Sequence, residues 1–267
     1  TINCWGYNNS GQLGNGTAIN SSTPVTVTGG FAFPTDGATD VAAGGWSQCA
    51  LLSDGTVKCW GSNQFGQLGN GTTTNSSTPV TVTGLSGTAT IVAGAAHNCA
   101  VPSDGTVICW GLNDYGQLGN GTTTNSNTPV AVLGTDGTGF LSGATAIAAG
   151  PDVTCALISD GTVQCWGRNE LGELGNGTTT NSSTPVAVAG LNEATAIAAG
   201  GYHSCALLSD GTVQCWGFNN NGQLGNGSTT NSSTPVAVHH LTEATAIAAG
   251  RYHTCALLSD GTVQCWG

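Results

Sequence analysis

Residues 215–267 read CWGFNNNGQLGNGSTTNSSTPVAVHHLTEATAIAAGRYHTCALLSDGTVQCWG, opening and closing on the same Cys-Trp-Gly triplet. That triplet starts at Cys4, Cys59, Cys109, Cys165, Cys215 and Cys265, so it returns after 55, 50, 56, 50 and 50 residues. Self-similarity at such a period marks a stacked array or a propeller, not a set of independent domains. The 267 residues therefore read as one array, with repeats at about 4–58, 59–108, 109–164, 165–214 and 215–264 and a terminal partial repeat.

Inside the quoted unit, four apolar runs at 235–238, 244–249, 255–258 and 262–266 have the lengths of strands. Turn formers separate them: the Asn/Gly stretch 219–227, the hydroxyl-rich stretch 228–234, and Ser259-Asp260-Gly261. Four short strands per repeat predict an all-β fold, a β-propeller of four-stranded antiparallel blades, with five repeats present plus one extra N-terminal strand at 2–5. The count is twenty-one strands, one more than a closed five-bladed ring holds, because Cys4 and Cys265 occupy the same repeat position. Three arrangements answer it: a piece of a longer array, which is favoured, an open array with stacked ends, or a subunit whose terminal strand pairs with a neighbour. The start at Thr1 in mid-motif and the absence of Met fit a processed chain or a fragment.

Ten of the eleven cysteines form C-x9-C pairs that flank Ser-Asp-Gly or its counterpart. A three-residue hairpin loop with Gly in the left-handed position suits that turn. Centred on Asp210, it sets Leu207 opposite Val213 and Cys205 opposite Cys215. Opposed residues of antiparallel strands lie about 4.5 to 5.5 Å apart at Cα, within reach of a disulfide. The register thus predicts the bonds Cys49–Cys59, Cys99–Cys109, Cys155–Cys165, Cys205–Cys215 and Cys255–Cys265, with Cys4 left over. Each contributes about 2 to 3 kcal/mol in the chain-entropy picture. Such bonds belong to oxidising compartments, so the chain is expected to be secreted or on a cell surface. His97, His203 and His253 sit two residues before a Cys and share its face, as zinc ligands would. The equivalents Ser47 and Val153 cannot ligate although their cysteine pairs persist, so hydrogen-bonded structural histidines and no metal are expected.

Fourteen acidic residues against three basic ones, Lys58, Arg168 and Arg251, give a formal net charge of −11. Phosphate backbones are repelled by such a chain, so nucleic acid is not an expected partner. No apolar run reaches the length of a membrane-spanning helix.

GQLGNG at 66–71, Thr78-Pro79-Val80, AGAAHNCAV at 93–101 and SDGTV at 103–107 together resemble the repeat of the regulator of chromosome condensation family. GQLGNG occurs in four repeats and GELGNG at 172–177, so the resemblance covers essentially the whole chain. It implies a β-propeller, most often of seven blades. Its functions range from nucleotide exchange on a small GTPase through UV-B sensing to secreted bacterial inhibition of β-lactamases. Fold alone does not choose among these. The acidity and the cysteine pairs depart from the chromatin-bound members and liken the chain to secreted bacterial ones. UV-B sensing would need tryptophans clustered beside arginines, whereas six of the seven Trp belong to Cys-Trp-Gly.

Catalysis needs a constellation placed once, which a framework repeated five times does not offer. Asn219, Asn220 and Asn221 stand where a calcium loop would carry carboxylates, and no cofactor is expected. Glu170 and Glu173 are the only clustered carboxylates off the repeat pattern, the pair that a polysaccharide hydrolase would require. Asn15-Gly-Thr17, Asn70-Gly-Thr72, Asn176-Gly-Thr178 and Asn181-Ser-Ser183 have the form of glycan acceptors, or serve simply to build loops.

Function is sought where the repeats differ. Insertions at 29–40 and 133–143 carry Phe31, Phe33 and Phe140. One variable position holds Phe65, Tyr115, Leu171 and Asn221, and another holds Trp46, Ala96, Asp152, Tyr202 and Tyr252. Aromatic side chains at such places either anchor a partner or pack between blades. The candidate binding residues are Phe31, Phe33, Trp46, Phe65, Tyr115, Phe140, Tyr202 and Tyr252. The expectation is an extracellular, non-catalytic protein-binding propeller. Its rival is a structural subunit of a disulfide-stabilised surface fibre or layer, self-associating head to tail.

Overall fold

A computed structural model describes residues 1–29, 31 and 37–267, so the expectation for Phe33 lies outside the described residues. The chain is a β-propeller in which every repeat contributes short antiparallel strands. The sheet formed by β15 (Ala194–Ala199), β16 (His203–Leu208), β17 (Val213–Gly217) and β18 (Ser232–Ala237) represents one blade, with strand order β15-β16-β17-β18. Three further four-stranded sheets repeat it: β3–β6 across residues 38–81, β7–β10 across 88–131, and β11–β14 across 144–187. β1 (Asn3–Gly6) pairs with β2 (Ser21–Thr26), and β19 (Ala244–Ala249), β20 (Thr254–Leu258) and β21 (Val263–Trp266) form a three-stranded sheet. Among the described residues no helix is long and apolar enough to cross a membrane.

Each blade starts on the ATAIAA-type strand, so Cys-Trp-Gly lies on the third strand and a repeat counted from it spans two half-blades. The reason is pairing: β17 hydrogen-bonds to β16 on one edge and β18 on the other, while β18 leads across to the next blade. The innermost strands β3 (Ala38–Ala43), β7 (Thr88–Ala93), β11 (Ala144–Ala149), β15 and β19 pack side by side in chain order around a channel. Their Ala-rich sequences suit this place, because strands that converge leave little room for side chains.

The second strand of a blade is buried on both faces. His203, Ser204, Cys205, Ala206 and Leu207 are all buried, so β16 lacks the polar alternation of a half-exposed strand. Blades stacked face to face require this. The shared cores confirm it: Cys99, Val101 and Leu118 of one blade pack with Ala144, Ile147, Ala156 and Trp166 of the next.

The hairpin register is the expected one, with Cys205 opposite Cys215, Ala206 opposite Gln214 and Leu207 opposite Val213. All five predicted disulfides are present, with Cα atoms 4.0 to 4.1 Å apart, and Cys4 is free. At the turn, Asp54 Oδ1 accepts from Thr56 N–H at 2.9 Å and from its hydroxyl at 2.7 Å, and Gly55 has φ +79°. These two bonds hold the Asp54 carboxyl below the usual carboxylate range.

Two polar devices join and shape the blades. From the second Cys-Trp-Gly onward the Trp reaches back to the preceding repeat: Trp166 Nε1 donates to Gln117 O at 2.9 Å, and Trp216 Nε1 to Glu173 O at 2.9 Å. The glycine two residues on from Glu173 makes room for the ring, since a Cβ on Gly175 would lie 2.8 Å from Trp216. Each loop after Cys-Trp-Gly is wound on a fully buried Asn. Asn169 Oδ1 accepts from Leu174 N–H at 2.8 Å, and its Nδ2 donates to Thr178 O and Thr180 O at 3.1 and 3.0 Å. Asn8, Asn63, Asn113 and Asn219 do the same in their repeats.

Candidate functional site

Antiparallel topology sorts the variable residues onto two faces. β3, β7, β11, β15 and β19 all run toward one mouth of the channel and end on short loops at 44–46, 94–96, 150–152, 200–202 and 250–253. The loops after Cys-Trp-Gly, which carry Phe65 and Tyr115, return to this same face because the third strand runs parallel to the first. The Ser-Asp-Gly turns lie at the other end together with Gly37 and Gly143 of the insertions, where Ser53 N–H donates to Gly37 O and Ser159 N–H to Gly143 O.

The eight candidates therefore do not form one surface. Phe140 is 65% exposed but sits on the far face. Phe31 packs edge-on against Trp60, with ring centroids 6.3 Å apart, and joins the apolar cluster of Val27, Ala50 and Trp60. Trp46, Phe65, Tyr115, Tyr202 and Tyr252 stand on the mouth face. Trp46 and Tyr202 line a cavity of about 490 Å³ together with Arg251, Pro151 and the glycines of the mouth loops.

On one side of this mouth, side chains alternate between cation and ring. The Arg168 guanidinium lies 5.2 Å from the Tyr115 ring centre and 5.7 Å from that of Tyr202. Arg251 lies 5.8 Å from Tyr202 and 5.3 Å from Tyr252. Tyr202 and Tyr252 stack 6.1 Å apart, and Phe218 meets both edge-on at 6.2 and 6.4 Å. On the opposite side Tyr7 meets Trp46 edge-on at 6.3 Å. Phe65 has no ring partner among the described residues. A guanidinium within about 6 Å of an aromatic ring centre gains attraction from the ring quadrupole, so cations and rings support one another here.

Carboxylates gather at one end of the ladder. Arg168 Nη2 donates to Glu170 Oε2 at 2.6 Å, and its Nη1 lies 3.9 Å from Asp152 Oδ2. Burial pushes the Asp152 carboxyl up, only partly offset by Arg168. Glu173 replaces the Gln of the other four repeats and is 2% exposed. Its Oε2 accepts from Leu171 N–H at 2.8 Å, its Oε1 has no partner, and burial raises its carboxyl. Glu170 clamped by Arg168 and Glu173 beneath the surface are not a free pair of carboxylates of the kind glycoside hydrolysis uses.

His97 and His203 are interblade connectors, whereas His253, for which the same role was expected, is exposed. His97 Nε2 meets Thr154 Oγ1 at 2.9 Å and His203 Nε2 meets Thr254 Oγ1 at 2.8 Å, while each Thr hydroxyl donates to a backbone carbonyl. Burial lowers both imidazoles to about 4. The sequon asparagines shape loops: Asn70 Oδ1 accepts from Thr72 N–H at 3.1 Å, and Asn181 Oδ1 from Asn169 N–H at 2.7 Å.

Sequence reasoning missed Arg168, Arg251, Phe218 and Tyr7 as members of the site. A signal was present: of three fixed cations in the chain two are here, and Arg251 directly precedes Tyr252.

The family described as RCC1-like domain matches residues 1–267. Human WBSCR16 superimposes with a TM-score of 0.86 at 24% identity, over 97% of this chain and 69% of that one. Yeast RCC1 (Prp20), in its complex with Kap60, superimposes with a TM-score of 0.80 at 23% identity, over 98% and 63%. The CRINKLY WD40 ectodomain of the Arabidopsis thaliana receptor kinase ACR4 gives a TM-score of 0.54 at 21% identity, over 90% and 67%. The chain thus spans about two thirds of the length of these propellers, and the likeness is one of fold.

Proposed function

We propose that this chain, which belongs to the RCC1-like domain family, binds a protein partner across the channel-mouth face and carries out no chemistry of its own. One observation supports this above the others: Trp46, Tyr115, Tyr202, Tyr252 and two of the three cations, none of them repeat-invariant, converge on one mouth. Tyr, Trp and Arg are the side chains that most often dominate binding energy at protein interfaces. Held by packed blades, they meet a partner with little conformational entropy left to lose. Yeast RCC1, a protein of similar fold, has been seen bound to Kap60. The five disulfides support a place outside reducing compartments, secreted or at a cell surface.

The test is selection of binders from a displayed random dodecapeptide library on the oxidised chain. Selected peptides are expected to lose about tenfold or more in affinity on Tyr252→Ala or Trp46→Ala, and to be unaffected by Phe140→Ala on the far face. Binders that respond only to Phe140→Ala would move the site to the other face and overturn the proposal.

A further inference from the structure

Four carboxylates meet at the Arg168 end of the ladder, where three four-stranded blades adjoin. Asp114 follows β9 (Ile108–Gly111), Asp152 precedes β12 (Val153–Ile158), Glu170 and Glu173 follow β13 (Val163–Gly167), and Tyr202 belongs to the blade β15–β18. None of the four acids is part of the repeated framework. Asp114 and Glu170 share a position held elsewhere by Asn9, Gln64 and Asn220, Asp152 stands where Trp46, Ala96, Tyr202 and Tyr252 do, and Glu173 replaces Gln. The Ser-Asp-Gly acids of the far face, by contrast, recur in every repeat and are each bound by a Thr hydroxyl.

One guanidinium faces all four. Arg168 directs its hydrogen bonds to Glu170, from Nη2 at 2.6 Å and from Nε at 3.1 Å, while its Nη1 stays 3.9 Å from Asp152, outside hydrogen-bond range. The charges acting on Asp152 are Arg168, Asp114 and Glu170, so two like charges oppose one unlike charge. Between Asp152 and Glu173 lies a small cavity of about 10 Å³, closed on its other sides by Val153, Arg168, Gly201 and Tyr202. Glu173 is 2% exposed and its Oε1 has no partner. In the other four repeats an unpartnered Gln Nε2, a neutral donor, takes the corresponding place. Only here is the buried orphan an anionic acceptor.

Such a cavity selects its ligand by size and by charge. Its volume is about the least that holds one water molecule, and an ammonium group is of that size whereas a planar guanidinium is larger. An ammonium carries three donors and no acceptor, so it can meet Asp152 and Glu173 together. A buried carboxylate with an unsatisfied oxygen destabilises the fold, and its presence in one repeat of five points to a use that outweighs the cost.

We infer that this cavity receives the ammonium group of one Lys side chain of the protein partner, held between Asp152 and Glu173 with its aliphatic stem along Tyr202. Asp114 and Glu170, exposed at the rim, attract the approaching cation and repel acidic segments. This rests on the protein-binding reading above and names one anchor within it.

The displayed dodecapeptide library tests it. Mouth-binding peptides, those weakened by Trp46→Ala, Tyr202→Ala or Tyr252→Ala, are expected to share an aligned Lys. A synthetic peptide of that sequence should lose about tenfold or more in affinity when its Lys is changed to norleucine, and a comparable amount when it is changed to Arg. Both losses should shrink to about threefold or less on Glu173→Gln and on Asp152→Asn, a coupling that general weakening does not produce. Glu173→Gln restores the residue of the other repeats, so a protein at least as stable as wild type in urea that has lost its preference for Lys separates recognition from folding. Mouth-binding peptides without a shared Lys, equal acceptance of Arg, or a Lys dependence unchanged in both variants would overturn the lysine site while leaving protein binding at the mouth intact. If no peptide binds the mouth, both readings fail.

Discussion

Changing Glu173 to Gln restores the residue that the other four repeats carry, and it is expected to stabilise the protein at neutral pH. The Gln side chain keeps the acceptor for Leu171 N–H, the bond made at 2.8 Å by Glu173 and at 2.9 to 3.0 Å by Gln12, Gln67, Gln117 and Gln223. It introduces an Nε2 without a partner, but that group is equally unpartnered in all four Gln repeats and is neutral. What disappears is a carboxylate held at 2% exposure with one oxygen unsatisfied. A buried unsatisfied polar atom costs about 1 to 3 kcal/mol, more when charged. Arg168 offsets part of this and Glu170 opposes it, so the expected gain is about 1 to 2 kcal/mol. The converse variant, Gln117→Glu, has Leu112 where Arg168 stands and should cost about 2 to 4 kcal/mol. The pH sign follows from burial raising the folded-state carboxyl above its unfolded value. The folded protein then holds the proton more tightly, so this group destabilises above the unfolded value and the penalty fades on acidification. Urea unfolding followed by tryptophan fluorescence at pH 7.5 and pH 4.5 measures it, and the difference between wild type and Glu173→Gln should shrink at the lower pH. A variant no more stable than wild type at pH 7.5, or a difference independent of pH, would refute the reasoning.

Two other outcomes are expected. His97 and His203, lowered to about 4 by burial, stay neutral in the fold, so stability should fall as pH drops from about 6.5 toward 4, by about 3 kcal/mol for each at full effect. His97→Gln, compared with wild type in urea at pH 7 and pH 4.5, should remove its share of that slope. Alkylation of the unfolded but unreduced chain followed by mass spectrometry should label Cys4 alone and leave ten cysteines blocked, whereas eleven labelled thiols would contradict the paired hairpins.

Much of the fold was legible because the deciding interactions are local. The Ser-Asp-Gly turn sets its own register through Asp54 and Thr56, and that register alone brings Cys49 to Cys59. The blade boundary was not legible from the repeat. Whether β18 joins the strand before it or after it depends on hydrogen bonding across a loop of fourteen residues, 218–231, whose path is set by the buried Asn219. The candidate site was half legible. Variable aromatics stood out, but periodicity does not tell one end of a strand from the other, so Phe31 and Phe140 were grouped with Trp46 and Tyr202. Only antiparallel topology sends the two sets to opposite faces.

Spacing within a repeat was enough for the array, the strand content, the five disulfides and the hydrogen-bonded role of His97 and His203, but not for His253, which is exposed. Tertiary structure alone decided that Tyr115, Arg168, Tyr202, Arg251 and Tyr252 form one ladder. They come from three repeats, with more than fifty residues between Tyr115 and Arg168, and they meet only because stacked blades bring equivalent loops side by side at the channel mouth. Local spacing carries no information about which variable residues become neighbours in that ring.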